Sequence, residues 1–346
     1  MRHRSLLATL FRVALVLCAT PVAAQDKFEL KLGHYVPAGH FFSQYLESWA
    51  NDLRERSDGR LEITIVPGAQ MGPTPRYYDM ARTGVVDIAW FLHGATPGRF
   101  PLTELINLPY LVGSAEIGTK VLNDPAVRAY LEPEHEGVKV LYLLTHQPGS
   151  LHTRNTAVRT PADMQGMRIR FAAATIREYV AALGGTPVGV PPPEIAEALQ
   201  KGTIDGVFID YGGAHTAFKL GGLVDYTTEL YAYVTSFGVI MNPDSFERLP
   251  PDLQALIEET TTGVAEEIGK LWDAADAPGK AYLQAEGGEA IVLTPEEEAT
   301  FREVGEEVTE KVVADLAAQG LPARELYELM RERSDHYAQS SFSFLE

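Results

Sequence analysis

Residues 166–206 read GMRIRFAAATIREYVAALGGTPVGVPPPEIAEALQKGTIDG. Residues 167–171 form a short apolar run that predicts a strand, and a helix-like run follows before a second predicted strand at 187–190. Three prolines at 191–193 predict the start of another helix, and residues 203–209 predict a third strand. This alternation of strand and helix is typical of a parallel sheet with crossover helices.

The first predicted strand of this stretch carries two arginines, Arg168 and Arg170. Residues i and i+2 of a strand point to the same face of the sheet. An arginine at the end of a buried strand can be a structural ion-pair partner. It can also bind the carboxylate of a ligand at the carboxyl ends of parallel strands, where open α/β sheets bind small molecules.

Three sequence blocks in this region carry a family resemblance: DMQGMRIR at 163–170, LGGTPV at 183–188 and EIAEALQKGTIDG at 194–206. In order and spacing they resemble the DlkGlKiR, lGa.PV and E...aL..G.iDG pattern of the substrate-binding proteins of tripartite ATP-independent periplasmic (TRAP) transporters. In that family the last arginine of the first block binds the ligand carboxylate. The resemblance therefore implies this role for Arg170.

Further blocks extend the resemblance towards the amino terminus. SDGRLEITIVPGAQMG at 57–72 and TGVVDIAW at 83–90 are similar to the family's sgGrl.v.vyP..qLG and..G.vDi segments. PGRFPLTELINLPYL at 97–111 resembles a subset of the family whose ligands lean towards aromatic and other monocarboxylic acids.

The resemblance implies a two-lobed α/β periplasmic binding protein fold with crossing strands and a long helix spanning both lobes. We expect residues 25–147 plus 238–282 to form lobe I and residues 148–237 plus 283–346 to form lobe II. An apolar run at 231–241 predicts one long strand that returns between the lobes, and a helix is predicted from Pro251 to about Ala275, with a break at Pro278 and Gly279.

Length and charge are consistent with this class of protein. A chain of 346 residues has enough material for two cores, and its net charge of −18 argues against nucleic acid and anionic membrane surfaces as partners.

Residues 1–24 have the pattern of a signal peptide. Arg2 and Arg4 precede an apolar run, and small residues before Gln25 predict cleavage near Ala24. Cys18, the single cysteine, lies inside this leader, so the mature chain has no disulfide and no cysteine nucleophile. We therefore expect a periplasmic protein.

Aromatic and histidine side chains follow the first and third predicted strands. Tyr35 follows the first strand, and Trp90 and His93 lie at the end of the third. Aromatic residues at such positions belong more often to a core, and histidines are more often structural donors. Matching to the family nevertheless implies that Tyr35, Trp90 and His93 lie at the ligand.

One ligand contact of many family members is missing. The sialic-acid binders in particular place a second ligand-binding arginine at about the position of Ser150 here, and Arg154 is out of register. This weakens the interpretation of the protein as a sialic-acid binder. His152 is the candidate to take the place of the missing arginine.

The family's asparagine after the IDG block is also missing, because Ile209 occupies that position. Asp210 and Tyr211 are the candidates to replace it near the cleft. A carboxylate beside an anionic ligand is unfavourable, so Asp210 is expected to meet an arginine or a ligand hydroxyl. Phe237, on the predicted return strand, is a further candidate ligand contact.

No motif for catalysis or for a cofactor stands out. The G-x-S-x-G, H-E-x-x-H, G-x-x-x-x-G-K and strand-associated G-x-G-x-x-G patterns are missing, and the histidine pairs lack the i, i+4 spacing of a helical metal site. We therefore expect neither an enzyme nor a cofactor, although counting acidic residues does not exclude a carboxylate pair for hydrolysis.

The expected function is a periplasmic receptor that delivers a small organic acid to TRAP membrane permease subunits. Two alternatives remain open: a binding protein for an ATP-driven importer or a sensor kinase, and a periplasmic enzyme on the same lobes. An aromatic or other monocarboxylate is the expected ligand, and a dicarboxylate or 2-oxo acid is the alternative. A dicarboxylate is less favoured because it requires a second cation.

Overall fold

The computed structural model describes residues 26–342 of the chain. The predicted signal peptide, its cleavage point and Cys18 lie outside the described residues.

Strands and helices alternate along most of the described chain. The strands are β1 Phe28–Gly33, β2 Leu61–Val66, β3 Ile88–Leu92, β4 Lys139–Thr145, β5 Gly149–Thr153, β6 Arg168–Arg170, β7 Thr186–Val188, β8 Gly206–Ile209, β9 Tyr226–Tyr233, β10 Ser236–Met241 and β11 Glu289–Ile291. The α-helices are α1 Phe41–Arg56, α2 Tyr77–Arg82, α3 Ala115–Asn123, α4 Pro125–Leu131, α5 Ala174–Ala182, α6 Ile195–Gln200, α7 Pro243–Glu247, α8 Pro251–Thr261, α9 Ala265–Asp273, α10 Asp276–Ala285, α11 Pro295–Ala318 and α12 Ala323–Phe342.

Two sheets form the centres of two lobes, which confirms the predicted fold class. The first sheet has the order β2-β1-β3-β10-β4, and the second has the order β11-β9-β5-β8-β6-β7. The chain passes from the first sheet to the second between β4 and β5, and it returns between β9 and β10. The two lobes are therefore joined by crossing strands.

Residues 166–206 fold in the predicted order β6, α5, β7, α6 and β8. β6 pairs in parallel with β7 on one side and with β8 on the other. Helix α5 buries Ile176, Tyr179 and Val180 against the second sheet, and Gly184 follows it with φ of 88°. A left-handed residue after a helix end favours glycine, so Gly184 sets the turn that brings the chain back into β7.

The predicted long strand at 231–241 is wrong. The structure has two strands, β9 and β10, and they belong to different sheets. Val234 and Thr235 between them are buried, so the chain changes sheets inside the protein with no glycine or proline to mark the change.

The predicted long helix is also divided differently. Gly263 separates α8 from α9 with φ of 76°, and a second break follows α9 at Ala274 and Ala275. Pro278 lies in the first turn of α10, where a missing N–H breaks no intrahelical hydrogen bond, so it does not end a helix there.

The carboxy-terminal segments divide between the lobes. Helix α11 packs against α5 of the second lobe, and the Tyr179 hydroxyl donates to the Phe301 carbonyl at 3.0 Å. Helix α12 instead places Leu326 and Met330 in a buried cluster with Leu105, which precedes α3 in the first lobe. The assignment of the whole segment 283–346 to lobe II stays a prediction, and α12 packs against α3 and α4.

Candidate functional site

A small cavity of about 50 Å³ lies between the two sheets at the carboxyl ends of their parallel strands. From the first lobe, Tyr35 follows β1, Leu92 ends β3 and Phe237 lies on β10. From the second lobe, Arg170 ends β6 and Tyr233 ends β9. The rest of the wall is formed by His146, Ala172, Pro192, Ile209, Asp210, Phe218 and Thr235.

Arg170 is a buried cation without a counter-charge in the described part of the chain. Its side chain belongs to a residue that is only 4% exposed, and Nε donates to the Val190 carbonyl at 3.3 Å. No carboxylate oxygen of residues 26–342 lies within 4.0 Å of its guanidinium nitrogens. Burial lowers the pKa of Arg170, although the pKa of a guanidinium starts so high that the group stays charged. The wall thus presents an unneutralised positive charge to the cavity.

Three hydroxyl groups line the cavity around this charge. The pKa values of Tyr35 and Tyr233 are raised by burial, and the nearby Arg170 opposes the rise in both. The hydroxyl oxygens of Tyr233 and Thr235 are buried and close enough for Thr235 to lower the pKa of Tyr233, but neither makes a hydrogen bond of normal geometry within residues 26–342. Neutral hydroxyls beside a guanidinium can donate hydrogen bonds to an anion that the arginine attracts.

Asp210 and His146 form a second polar group in the same wall. Asp210 follows β8, is 4% exposed, and accepts a hydrogen bond on Oδ1 from the Gly213 N–H at 2.6 Å. Its Oδ2 lies 3.9 Å from His146 Nδ1, beyond hydrogen-bond distance. Burial lowers the pKa of His146, and its Nδ1 contacts the Gln147 carbonyl oxygen.

Trp90 and His93 lie outside the lining of this cavity, and their contact with the ligand stays a prediction. Trp90 is fully buried, and its ring centroid lies 5.5 Å from that of Tyr35 and 5.8 Å from that of Phe237. His93 Nε2 lies 3.0 Å from His135 Nε2 in a separate buried pair. Every residue of β3 is buried, so alternation along this strand did not reveal which side chains reach the cavity.

His152 and Tyr211 are likewise outside the cavity wall. The His152 ring nitrogens contact the Thr227 hydroxyl at 2.8 Å and the Ile209 carbonyl at 3.1 Å, so both are engaged. The Tyr211 hydroxyl donates to Glu229 Oε1 at 3.1 Å, and its ring packs edge-on against His152. The proposed substitution of His152 for the missing second arginine stays a prediction, with both ring nitrogens already in contact with protein groups.

Sequence reasoning brought Tyr35, Arg170, Asp210 and Phe237 together at one place, as the structure also does. It assigned no role to the other polar residues of the wall, which are His146, Tyr233 and Thr235. These three residues lie at or beside the two chain crossings between the lobes. Crossing segments of a two-lobed protein border its cleft, and this was the signal available in the sequence.

The two lobes touch closely around the cavity. A Cβ added to Gly94, just after β3, would lie 2.4 Å from the Ala172 carbonyl oxygen and 2.9 Å from the Ala173 Cα, just after β6. Nearby, the Glu104 carboxylate accepts a hydrogen bond from the Ala174 N–H, at the first residue of α5, at 3.0 Å. Glu104 is 3% exposed, and burial raises its pKa to about 7. The two lobes are therefore in direct contact beside the cavity.

Residues 32–315 match the model of a family described as bacterial extracellular solute-binding protein, family 7. The chain belongs to this family. The match covers most of the described residues, including the whole cavity wall and every strand except the first four residues of β1.

Solved structures of TRAP solute-binding proteins have the same fold. One from Rhodoferax ferrireducens T118, in complex with copurified benzoate, has a TM-score of 0.86 and 28% identity, covering 91% of this chain and 100% of that one. A marine metagenome protein specific for aromatic acid ligands, with 3-hydroxybenzoate, has a TM-score of 0.86 and 29% identity, covering 90% and 99%. A protein from Bordetella bronchiseptica with bound (R)- and (S)-mandelate has a TM-score of 0.79 and 27% identity, covering 89% and 99%. This chain is thus a TRAP solute-binding protein.

In the described part of the chain, no helix combines the length and apolar character that crossing a membrane requires.

Proposed function

We propose that this solute-binding protein is a periplasmic receptor that binds a small aromatic monocarboxylate between its lobes and delivers it to TRAP permease subunits in the membrane. It acts as a receptor and not as an enzyme. The observation that carries this proposal is the buried, unneutralised Arg170 in an interlobe cavity with aromatic walls.

Arg170 supplies the charge that a carboxylate needs. Its planar guanidinium matches a carboxylate with two parallel hydrogen bonds, and such a charge-assisted bond contributes about 1.5–3 kcal/mol. The Tyr35, Tyr233 and Thr235 hydroxyls lie on the same wall and provide further donors. Ligand binding would therefore neutralise a charge that the protein alone leaves unpaired.

The remaining wall favours a compact ring. Tyr35 and Phe237 from the first lobe and Phe218 from the second present ring surfaces to the cavity. Flat apolar surfaces bury an aromatic body, and a few convergent polar groups fix its orientation. The structural neighbours that bind benzoate, 3-hydroxybenzoate and mandelate are consistent with this ligand class.

A single cation among the lining residues disfavours a dicarboxylate. Arg170 is the sole lysine or arginine in the cavity wall, and Asp210 adds a negative charge there. A second carboxylate on the ligand would lie near Asp210 without a partner, which is unfavourable in a buried site.

A thermal-shift screen of residues 25–346 against organic acids tests the proposal. A ligand that binds the folded state alone raises the melting temperature by mass action. We expect shifts with benzoate-like monocarboxylates and none with succinate or with neutral sugars. Shifts confined to dicarboxylates or sugar acids, or no shift with any aromatic acid, would overturn the proposed ligand class.

A further inference from the structure

The end of the cavity formed by Asp210 and His146 contains hydrogen-bond acceptors that the protein does not satisfy. Asp210 Oδ1 accepts from the Gly213 N–H, but no donor of the described residues lies within hydrogen-bond distance of Oδ2. The Asp210 and Arg170 side chains also form no ion pair, since no carboxylate oxygen of residues 26–342 lies within 4.0 Å of the Arg170 guanidinium nitrogens. The negative charge at this end and the positive charge of Arg170 are therefore separate features of one cavity.

His146 cannot supply the missing donor in its present orientation. Its Nδ1 contacts the carbonyl oxygen of Gln147, and a carbonyl oxygen only accepts, so Nδ1 carries the proton and donates it there. Because burial also lowers the pKa of His146, the ring is neutral and Nε2 is an acceptor. Asp210 and His146 thus both present acceptors.

The chain around Asp210 holds the carboxylate in place while leaving this acceptor unpaired. Gly212 and Gly213 follow it, and a Cβ on Gly213 would lie 2.9 Å from Asp210 Oδ2. Glycine at this position therefore keeps the space beside Oδ2 clear. Asp210 as a whole is only 4% exposed, but Oδ2 keeps some access to solvent. A ligand that displaces solvent from Oδ2 has to donate a hydrogen bond there, or that hydrogen bond is lost on binding.

We propose that Asp210 and His146 make the receptor select acids that carry an O–H or N–H donor away from their carboxylate. Hydroxybenzoates and aminobenzoates fit this requirement, whereas benzoate, methoxybenzoates and keto acids offer either nothing or a further acceptor. A site with a buried polar group strongly rejects a ligand that leaves this group without a hydrogen bond. An apolar pocket discriminates less strongly between ligands that differ only in size. The inference rests on the proposed function, because it assumes a carboxylate at Arg170.

The test is isothermal titration calorimetry of the mature protein with benzoate, 3-hydroxybenzoate, 4-hydroxybenzoate, 3-aminobenzoate and 3-methoxybenzoate. We expect at least one of the hydroxybenzoates or 3-aminobenzoate to bind at least about tenfold more tightly than benzoate and 3-methoxybenzoate. Comparing the hydroxybenzoates with 3-aminobenzoate distinguishes an O–H donor from an N–H donor. Equal affinities for benzoate and all the substituted acids would overturn the inference while leaving the proposed function intact.

Asp210→Asn separates selection from a merely structural role. Asparagine keeps an oxygen for the Gly213 N–H and turns the second acceptor into a donor. We expect the preference for 3-hydroxybenzoate over 3-methoxybenzoate to fall to near one in this variant. The matched control is Asp225→Asn, the same change at an exposed position outside the cavity, which should keep the wild-type preference.

The outcomes are distinguishable from failure of the proposed function. If Asp210→Asn weakens binding of every acid by the same factor, Asp210 only supports the turn at Gly213 and the selection proposal is wrong. If the wild-type protein binds no aromatic acid at all, the ligand class itself is wrong and the inference falls with it.

Discussion

Arg168 and Arg170 lie two residues apart at opposite ends of the same short strand, β6, and their charges are balanced in different ways. Arg168 is exposed, and its Nε and Nη2 donate to both carboxylate oxygens of Asp205 at 3.0 and 2.6 Å. Arg170 is buried at the cavity, donates to one carbonyl oxygen, and has no carboxylate partner in residues 26–342.

The difference shows which charge serves the fold and which awaits a ligand. Asp205 lies directly before β8, so the fold itself supplies the partner of Arg168. Water screens both charges because both side chains are exposed. Burying Arg170 without an ion-pair partner costs free energy that the single hydrogen bond to Val190 offsets only in part. A buried cation of this kind is explained by a binding role rather than by stability.

Replacing Arg170 should have the largest effect on binding. We expect Arg170→Ala to weaken binding of 3-hydroxybenzoate by roughly 2–5 kcal/mol, because the carboxylate is then buried without its partner. The free energy of unfolding without ligand should stay within about 1 kcal/mol of wild type, since one hydrogen bond to Val190 is lost. Calorimetry and urea unfolding measure the two effects. A variant that keeps its affinity would remove the distinction between the two arginines.

Glu104 is another buried ionisable side chain, and the Ala174 N–H that donates to it lies on the other lobe. Its pKa is about 7 in the folded protein against 4.5 for an unperturbed glutamic acid, so between these values the unfolded chain binds fewer protons. The stabilising contribution of Glu104 is therefore fully present below about pH 4.5 and is lost as the pH rises through 7, by about 3 kcal/mol. Glu104→Gln should remove that part of the decline.

Urea unfolding at pH 5 and pH 8 measures the Glu104 contribution as a difference between variants. Other buried acids titrate in the same range, including Asp276, whose pKa burial raises to about 6, so wild-type curves alone do not isolate it. Glu62→Gln, at an exposed position on β2, is the control and should follow wild type. A decline in Glu104→Gln as steep as in wild type would show that Glu104 is solvated in the folded state.

Gly94 tests whether the closed contact beside β6 is needed for binding. Since an added Cβ would overlap the Ala172 carbonyl, Gly94→Ala should oppose closure and weaken ligand binding by about 1–3 kcal/mol. Small-angle X-ray scattering with saturating 3-hydroxybenzoate should show a larger radius of gyration than for wild type. Gly113→Ala, where nothing lies within 4 Å of the added Cβ, is the control. Equal affinity in both variants would show that this contact does not limit closure.

Tyr233 should have the smallest effect on binding. Tyr233→Phe removes a hydroxyl that makes no hydrogen bond of normal geometry within residues 26–342, so we expect binding to weaken by about 0.5–1.5 kcal/mol with little change in stability. Tyr211→Phe is the matched control, because the Tyr211 hydroxyl is engaged by Glu229 outside the cavity wall. The opposite pattern, with Tyr211 affecting affinity and Tyr233 not, would move the ligand to another part of the cleft.

The sequence predicted the local order of elements around β6 because strand, helix and turn signals there agree with one another. The resemblance to the TRAP family, and not these local signals, singled out Arg170 as the ligand-binding arginine. The sequence could not place Trp90, because β3 is buried on both faces and its neighbours come from distant segments. It likewise joined β9 and β10, because nothing in residues 231–241 marks the point where the chain changes sheets.

The central claim is that Arg170 binds a carboxylate, and comparing an acid with its amide tests it most directly. We would titrate 3-hydroxybenzoate and 3-hydroxybenzamide into wild type, Arg168→Ala and Arg170→Ala. The account predicts that wild type and Arg168→Ala prefer the acid by about 30-fold or more, and that Arg170→Ala loses this preference. A preference for the acid that survives in Arg170→Ala would contradict the account and require another group to bind the carboxylate.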